Sequence, residues 1–282
     1  MRFPGKALAL LGVAAMVLLS VGQAGAITFG VPDGNDHPNV GALIAEWRTP
    51  GVKEEFCSGT LVAPSIFLTA SHCTAGLESR EVSDVWVSFD TDIGDPVRPT
   101  TNLIHGAMHT NPVFGFSGPG GFSDPHDIAV IVLDQPAAAI YPGIEPAALP
   151  ALGLFDQLSA KNGLRGQKFT AVGYGTHQPQ PGTGPLPDTF PFDGKRWRAV
   201  SEFNAINAAW LRLSQNRATG DGGTCFGDSG GPNFLGAGAT ETDVIAAVTV
   251  TGDAVCRATT VIYRLDTASA RQFLGSFGVP LP

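Results

Sequence analysis

The run Gly227-Asp228-Ser229-Gly230-Gly231-Pro232, preceded by Gly222-Gly223-Thr224-Cys225-Phe226, decides the reading of this chain. A serine set between glycines on a tight turn exposes its hydroxyl, and the glycines let backbone N–H groups approach whatever that hydroxyl attacks. Alone, the run reads equally well as a turn, because Gly, Asp and Ser are turn residues. Two other segments change the balance. Leu68-Thr69-Ala70-Ser71-His72-Cys73 lies upstream, and His126-Asp127-Ile128-Ala129-Val130 lies between the two. A base, an orienting carboxylate and a nucleophile thus follow in the order His72, Asp127, Ser229.

That order discriminates between templates. Gly227 to Gly231 also fits the Gly-x-Ser-x-Gly elbow of α/β-hydrolases, in which the acid and then the histidine follow the serine. The six histidines (His37, His72, His105, His109, His126 and His177) all precede Ser229, which excludes it. A subtilisin-like order needs Asp, then His, then Ser. Asp33 or Asp36 satisfies it by position, and only the Thr-Ala-Ser-His-Cys context argues against it. Taken together, the three motifs resemble the trypsin/chymotrypsin-like serine proteases, in particular their bacterial secreted members, from about Ile27 to Phe273.

The roles follow from the chemistry. A serine hydroxyl is too weak an acid to attack an amide unless its proton passes to a base, and an imidazole titrates near the working pH. His72 is that base, and Asp127 accepts the other imidazole N–H to fix the tautomer. Asp124 and Asp134 are rivals by proximity, but only Asp127 opens an apolar Ile-Ala-Val strand, where the family's motif places the acid. By resemblance, the backbone N–H groups of Gly227 and Ser229 form the oxyanion hole. Gly223 takes the floor of the S1 pocket with Thr224 beside it, while Gly252 and Val261 stand in its walls. Position 223 bears no carboxylate, so the expected P1 residue is neutral and apolar rather than Arg or Lys. Glutamate-specific relatives carry a pocket histidine, and none occurs after His177. Val250-Thr251-Gly252 replaces the usual Ser-Trp-Gly of the substrate wall.

The resemblance also implies the architecture, an all-β chain of two six-stranded antiparallel barrels with the active site in the cleft between them. Residues 27–150 would form the first barrel and carry His72 and Asp127; residues 151–282 would form the second and carry Ser229. Ile27-Thr28-Phe29-Gly30 stands where the family begins Ile-Val-Gly-Gly. A freed Ile27 amine is therefore expected to pair with Asp228. A non-catalytic binding protein on the same scaffold is the alternative, since fold does not guarantee function.

Residues 1–26 read as a secretory signal, with Arg2 and Lys6, an apolar stretch from Ala7 to Val21, and Ala24-Gly25-Ala26 as a small-x-small cleavage site. The apolar run is shorter than the ~20 residues that span a bilayer, so removal is expected in preference to anchoring. Cleavage after Ala26 would leave 256 residues and expose Ile27 directly. Of 17 basic and 25 acidic side chains, the signal holds two basic ones, which leaves 15 against 25 and a charge of −10. No basic patch suggests nucleic acid as a partner. A soluble, exported monomer acting on proteins or peptides, without a cofactor, is the expectation. Four cysteines allow three pairings, and no Cys-x-x-Cys spacing suggests a metal; the family pattern joins Cys57 to Cys73 and Cys225 to Cys256.

Short β-rich runs punctuated by Gly, Pro, Asn and Asp dominate the chain. Phe56–Val62 and Ile66–Ala70 predict a hairpin, and Val85, Val87 and Phe89 fall on one face at period two. Further strands are predicted at 128–133, 168–173, 198–203, 210–213, 244–250 and 259–265. Asp266 is placed to cap one short helix running to Leu274. Residues 115–124 and 176–193 are rich in Gly and Pro and predict surface loops.

Overall fold

In this computed structural model the described residues are 27–115, 123–177 and 189–282. The expected signal segment and the centres of both expected loops lie outside them. In chain order the elements are β1 (Val31–Pro32), β2 (Val40–Ala45), β3 (Glu54–Ala63), β4 (Ile66–Thr69), α1 (Ser71–Glu78), β5 (Val85–Ser88), β6 (Ile104–Thr110) and β7 (Ala129–Leu133). Then follow α2 (Leu154–Ala160), β8 (Lys168–Gly173), β9 (Trp197–Ile206), β10 (Trp210–Ser214), β11 (Pro232–Leu235), β12 (Ile245–Gly252), β13 (Thr259–Arg264) and α3 (Ala268–Gly275).

Two closed antiparallel barrels result. The first runs β2-β3-β4-β7-β6-β5 and closes where Leu43 of β2 pairs with Val87 of β5. The second runs β9-β10-β13-β12-β11-β8 and closes where β8 returns to β9, Ala171 opposite Ala199. Strand β1 adds to the edge of β9 at Val31 and Pro32. Inward-facing residues fill each barrel: Leu43, Leu61, Phe67, Val85, Val87 and Ile131 in the first, and Phe155, Phe169, Leu211, Leu213 and Ile262 in the second. A third cluster joins Val40, Leu68 and Val130 to Phe234, Val248 and Tyr263, so apolar burial also seals the barrels against each other.

The helices depart from expectation. Only the C-terminal one was anticipated, and its N-cap is Thr267, whose hydroxyl accepts from the Ala270 N–H, in place of Asp266. Asp266 is buried instead and binds the guanidinium of Arg264 at 2.9 Å through both oxygens. Helix α1 follows β4 without a side-chain cap. The Ser71 hydroxyl secures its start, donating to the Ile128 carbonyl at 2.6 Å and accepting from the Asn111 N–H at 3.1 Å.

A buried ionic cluster fastens the N-terminal segment across both barrels. Arg196, fully enclosed, donates to Asp33 Oδ2 at 2.8 Å, to the Val40 carbonyl at 2.9 Å and to the Phe89 carbonyl at 3.2 Å. His37 bridges Asp33 at 2.5 Å and Glu241 at 2.6 Å. Burial disfavours the charged form of Asp33, yet the bond from His37 and the Arg196 charge hold its carboxyl below the ordinary range. Removing the cation strands a buried carboxylate and two carbonyls. Arg196→Met should therefore lower the unfolding free energy by about 3–5 kcal/mol, read as a fall in the urea midpoint at unchanged m-value. Asp33→Asn in the same chain should restore part of the loss.

Candidate active site

His72 is the second residue of α1, and Asp127 lies just before β7, 55 residues later in sequence. The fold brings them together through two bonds. The His72 backbone N–H donates to Asp127 Oδ1 at 2.8 Å, and its Nδ1 lies 2.9 Å from Oδ2. A carboxylate only accepts, so Nδ1 is the donor in this contact. Asp127 is fully buried while the His72 side chain is 30% exposed, and its Nε2 lies 3.7 Å from Cys73 Sγ. Neither rival acid reaches His72 in this way. Asp124 accepts from the Tyr263 hydroxyl at 2.6 Å and from Ser269 at 3.2 Å, and Asp134 pairs with His105 at 2.7 Å.

Ser229 sits on the tight turn between β10 and β11, opposite this pair. Its carbonyl accepts from Ser58 N–H at 2.9 Å, and the following Gly230 N–H donates to the Thr249 carbonyl at 2.8 Å. Gly230 packs so closely on the start of α1 that a Cβ there would fall 2.7 Å from the Ala70 nitrogen. No hydrogen bond joins the Ser229 hydroxyl to His72 in this structure; such contacts tighten when substrate excludes water. Gly227 has φ +94°, a conformation L side chains rarely adopt, and its carbonyl is held by the Ser58 hydroxyl at 3.0 Å. The N–H groups of Gly227 and Ser229 are taken by no acceptor among the described residues.

Asp228 sets the shape of this turn. Its carboxyl is wholly buried and accepts from Cys225 N–H at 2.8 Å and Gly175 N–H at 2.9 Å. Burial pushes its pKa up to about 7, against the pull of those two donors. In the uncleaved chain the Ile27 nitrogen is a peptide nitrogen and carries no charge to offer Asp228. Ile27 itself is nonetheless fully buried against Trp197 and Ala199, and Thr28 pairs with Gly223 through bonds of 2.8 and 3.0 Å.

A cavity of about 340 Å³ opens beside Ser229. Thr224 and Gly252 line it, together with Phe226, Val250, Thr251 and the Cys225–Cys256 disulfide. Gly223 and Val261 do not. The second disulfide, Cys57–Cys73, flanks His72. The bulge in β12 between Thr249 and Thr251 pairs Gly252 with Thr260, and the two-residue alternation of β13 then turns Thr260 toward Thr224. Their hydroxyls lie 3.0 Å apart. Beneath Gly223 the buried Gln215 side chain occupies the place a side chain at 223 would take, its amide donating to the Thr224 carbonyl at 2.8 Å and to Thr260 Oγ1. Asp253, at the rim, is consumed by its own turn, accepting from the N–H groups of Ala258 and Thr259 at 2.8 Å.

Gln215, Thr260, Ser58 and Gly175 were not singled out from the sequence, because each acts through a partner distant along the chain. Ser58 had the clearest signal, standing next to Cys57 and hence to the disulfide partner of His72's neighbour. Cys57, His72 and Cys73 also place sulfur and nitrogen atoms within 4.8 Å of one another, but both sulfurs are joined in the disulfide and offer no thiolate to a metal.

The crowding below Gly223 changes what a substitution there does. In Gly223→Asp the new Cβ would lie 2.5 Å from Gln215 Nε2, so the change overpacks the site and should cost about 1–3 kcal/mol. Gln215→Ala should relieve much of that cost. A double-mutant cycle by thermal unfolding measures the coupling, and additive effects would show that the two residues do not share this space.

Comparison with known proteins agrees with this geometry. A family model described as Trypsin matches residues 34–269. A trypsin from Saccharopolyspora erythraea is 30% identical over 103 residues, which span 36% of this chain and 38% of that protein. Neuropsin, a serine protease expressed in the limbic system of mouse brain, superposes with a TM-score of 0.58 at 21% identity, covering 89% of this chain and all of that one. With its two six-stranded barrels and a family match that runs through all three motifs, the chain belongs to the trypsin family of serine proteases.

Proposed function

We propose that this chain is an exported serine endopeptidase acting through an acyl-enzyme. The observation that carries the reading is the doubly bonded His72–Asp127 pair facing a turn whose Gly227 and Ser229 N–H groups are free to receive an oxyanion. His72 Nε2 takes the Ser229 proton as Oγ attacks the scissile carbonyl, then returns it to the leaving amine. Asp127 holds the imidazole in the right tautomer and stabilises its charged form. The cavity beside Ser229, with no free carboxylate at its base and with Val250 and Thr224 on its wall, suits a neutral P1 side chain of moderate size. The two disulfides favour an oxidising compartment, and no helix among the described residues is long and apolar enough to cross a membrane.

Cleavage after Ala26 completes the site in this reading. It turns the Ile27 nitrogen into an ammonium on a residue already docked in the second barrel, within the same fold as the uncompensated Asp228. Before cleavage, the folded chain keeps a proton on Asp228 that the unfolded chain loses near its ordinary value of 3.8. Stability from this group is therefore full below pH ~4 and is lost as pH rises toward 7. The uncleaved chain should weaken over that window, Asp228→Asn should flatten the dependence, and the chain beginning at Ile27 should not show it. Urea unfolding of the three proteins between pH 4 and 8 measures this.

Catalysis is tested directly. A fluorophosphonate should label Ser229 in the chain beginning at Ile27, and neither Ser229→Ala nor the chain with Ala26 retained should react at a comparable rate. Asp127→Asn should reduce turnover by ~10⁴, the effect of the wrong tautomer in the well-studied digestive protease, whereas Asp124→Asn should not. Folded, correctly processed protein that takes no label would favour the binding-protein alternative.

A further inference from the structure

A second cavity, of about 320 Å³, lies on the other side of the 226–229 turn. Phe226 is 55% exposed and lines both cavities, standing as the partition between them. The second cavity has aromatic walls. Phe190 meets Phe226 edge-on at 5.0 Å, and Phe56 meets Trp47 at 4.9 Å. Gly227 closes its inner end, and a Cβ at that position would lie 3.2 Å from both carboxyl oxygens of Glu55.

Its polar groups are almost all acceptors. Glu54, Glu55 and Asp95 line it against a single cation, Arg48, which lies over Trp47 and takes one oxygen of Glu54 at 3.2 Å. Three buried oxygens around the cavity make no hydrogen bond among the described residues: Glu54 Oε2, Glu55 Oε1 and Thr176 Oγ1. Burial and the nearby Asp228 carboxyl push the Glu55 carboxyl well above its ordinary range, and a cation placed beside it would favour its ionised, acceptor-only form. Buried acceptors without donors are costly unless a ligand supplies the donor. Acceptors set among aromatic faces are the surroundings that bind an ammonium or guanidinium group.

We propose that this cavity recognises a Lys or Arg side chain on the leaving-group side of the scissile bond, with Glu55 and Glu54 as the specificity-determining acceptors. The proposal rests on the endopeptidase reading, which orients the substrate. The scissile carbonyl oxygen points to the N–H groups of Gly227 and Ser229. The acyl side enters the cavity walled by Thr224, Val250 and Gly252, so the leaving side continues past Gly227 in the opposite direction. An extended peptide rises about 3.3 Å per residue, which brings the first two leaving-side residues over the second cavity. A basic side chain there gives Glu55 Oε1 and Thr176 Oγ1 the donors they lack and lays its methylenes on Phe226 and Phe56.

The test compares internally quenched peptides with one shared acyl side and Lys, Arg, Ala, Leu or Glu in the first two leaving-side positions. With the chain beginning at Ile27, kcat/KM for Lys or Arg should exceed that for Ala by about tenfold, the scale of one charge-assisted bond, and Glu should fall below Ala. Glu55→Gln should bring the Lys/Ala ratio close to unity. Arg48→Ala, by freeing the Glu54 oxygen it holds, should raise that ratio. Because each ratio is taken within one protein, a general loss of activity does not affect it. Glu54→Gln and Arg48→Ala move the ratio in opposite directions, so they carry the test if Glu55→Gln does not fold. Cleavage without leaving-side preference, or a basic preference that survives in both Glu variants, overturns this proposal alone. Absence of cleavage of every peptide together with absence of Ser229 labelling overturns the endopeptidase reading and this proposal with it.

Discussion

A carboxyl group buried without a counter-charge, that of Asp228, is the constraint around which the cleft is built. Two backbone N–H groups converge on it, from Cys225 in its own turn and from Gly175 after β8. Together they curl the 225–231 segment so that the amides of Gly227 and Ser229 face outward. The neighbouring backbone has to come close to do this. A Cβ at Gly175 would fall 2.6 Å from Asp228 Cγ, so the glycine after Tyr174 exists to admit the carboxyl. Burial raises the proton affinity of Asp228, and burial followed by the nearby Asp228 carboxyl raises that of Glu55. A charge delivered to or withdrawn from this spot acts on the Gly227 and Ser229 amides and on both cavities at once.

The barrels supply rigidity of two kinds. Apolar burial closes each barrel and seals them together along Val40, Leu68, Val130, Phe234 and Val248. Buried ion pairs then add direction. Arg196 ties Asp33 to the carbonyls of Val40 and Phe89, and Arg264 ties Asp266 to Asp156 of α2. Each such pair is worth little against an apolar replacement but is strongly destabilising when half removed. They therefore select one arrangement of the barrels more than they strengthen it, and that arrangement carries His72 and Ser229 to the same cleft.

Phe226 gives the cleft its two-sided character. On one side stands a cavity lined by Thr224, Val250 and Gly252, with Asp253 at its rim tied up in its own turn; on the other stands one rich in carboxyl oxygens and aromatic edges. Under the proposed endopeptidase reading, chemical selection is divided across the scissile position, with neutral character on the acyl side and acidic character beyond it.

Three motifs and their order were enough, in the sequence alone, to point to the family and, through that resemblance, to the barrel architecture, and to propose roles for His72, Asp127 and Ser229, because each motif is local and its residue types have few other joint uses. Most strands were legible for the same reason: Lys168–Gly173 was placed to the residue, and 85–89 to within one. Strands β1, β2, β6 and β11 were missed, since Val31–Pro32 is two residues long, Val40–Ala45 is buried on both faces and shows no alternation, Ile104–Thr110 is half polar, and Pro232 disguises a strand start. Helix α1 was hidden because no capping side chain announces it. What only the tertiary structure decided is the lining of the cleft. A one-residue bulge in β12 turned Thr260 rather than Val261 toward Thr224, Gln215 filled the space below Gly223 from just past β10, eight residues away, and Glu55 reached Gly227 across 172 residues of sequence. Such contacts depend on register and on which strands close a barrel, and the period-two pattern of a strand fixes its buried face without fixing the neighbour it meets there.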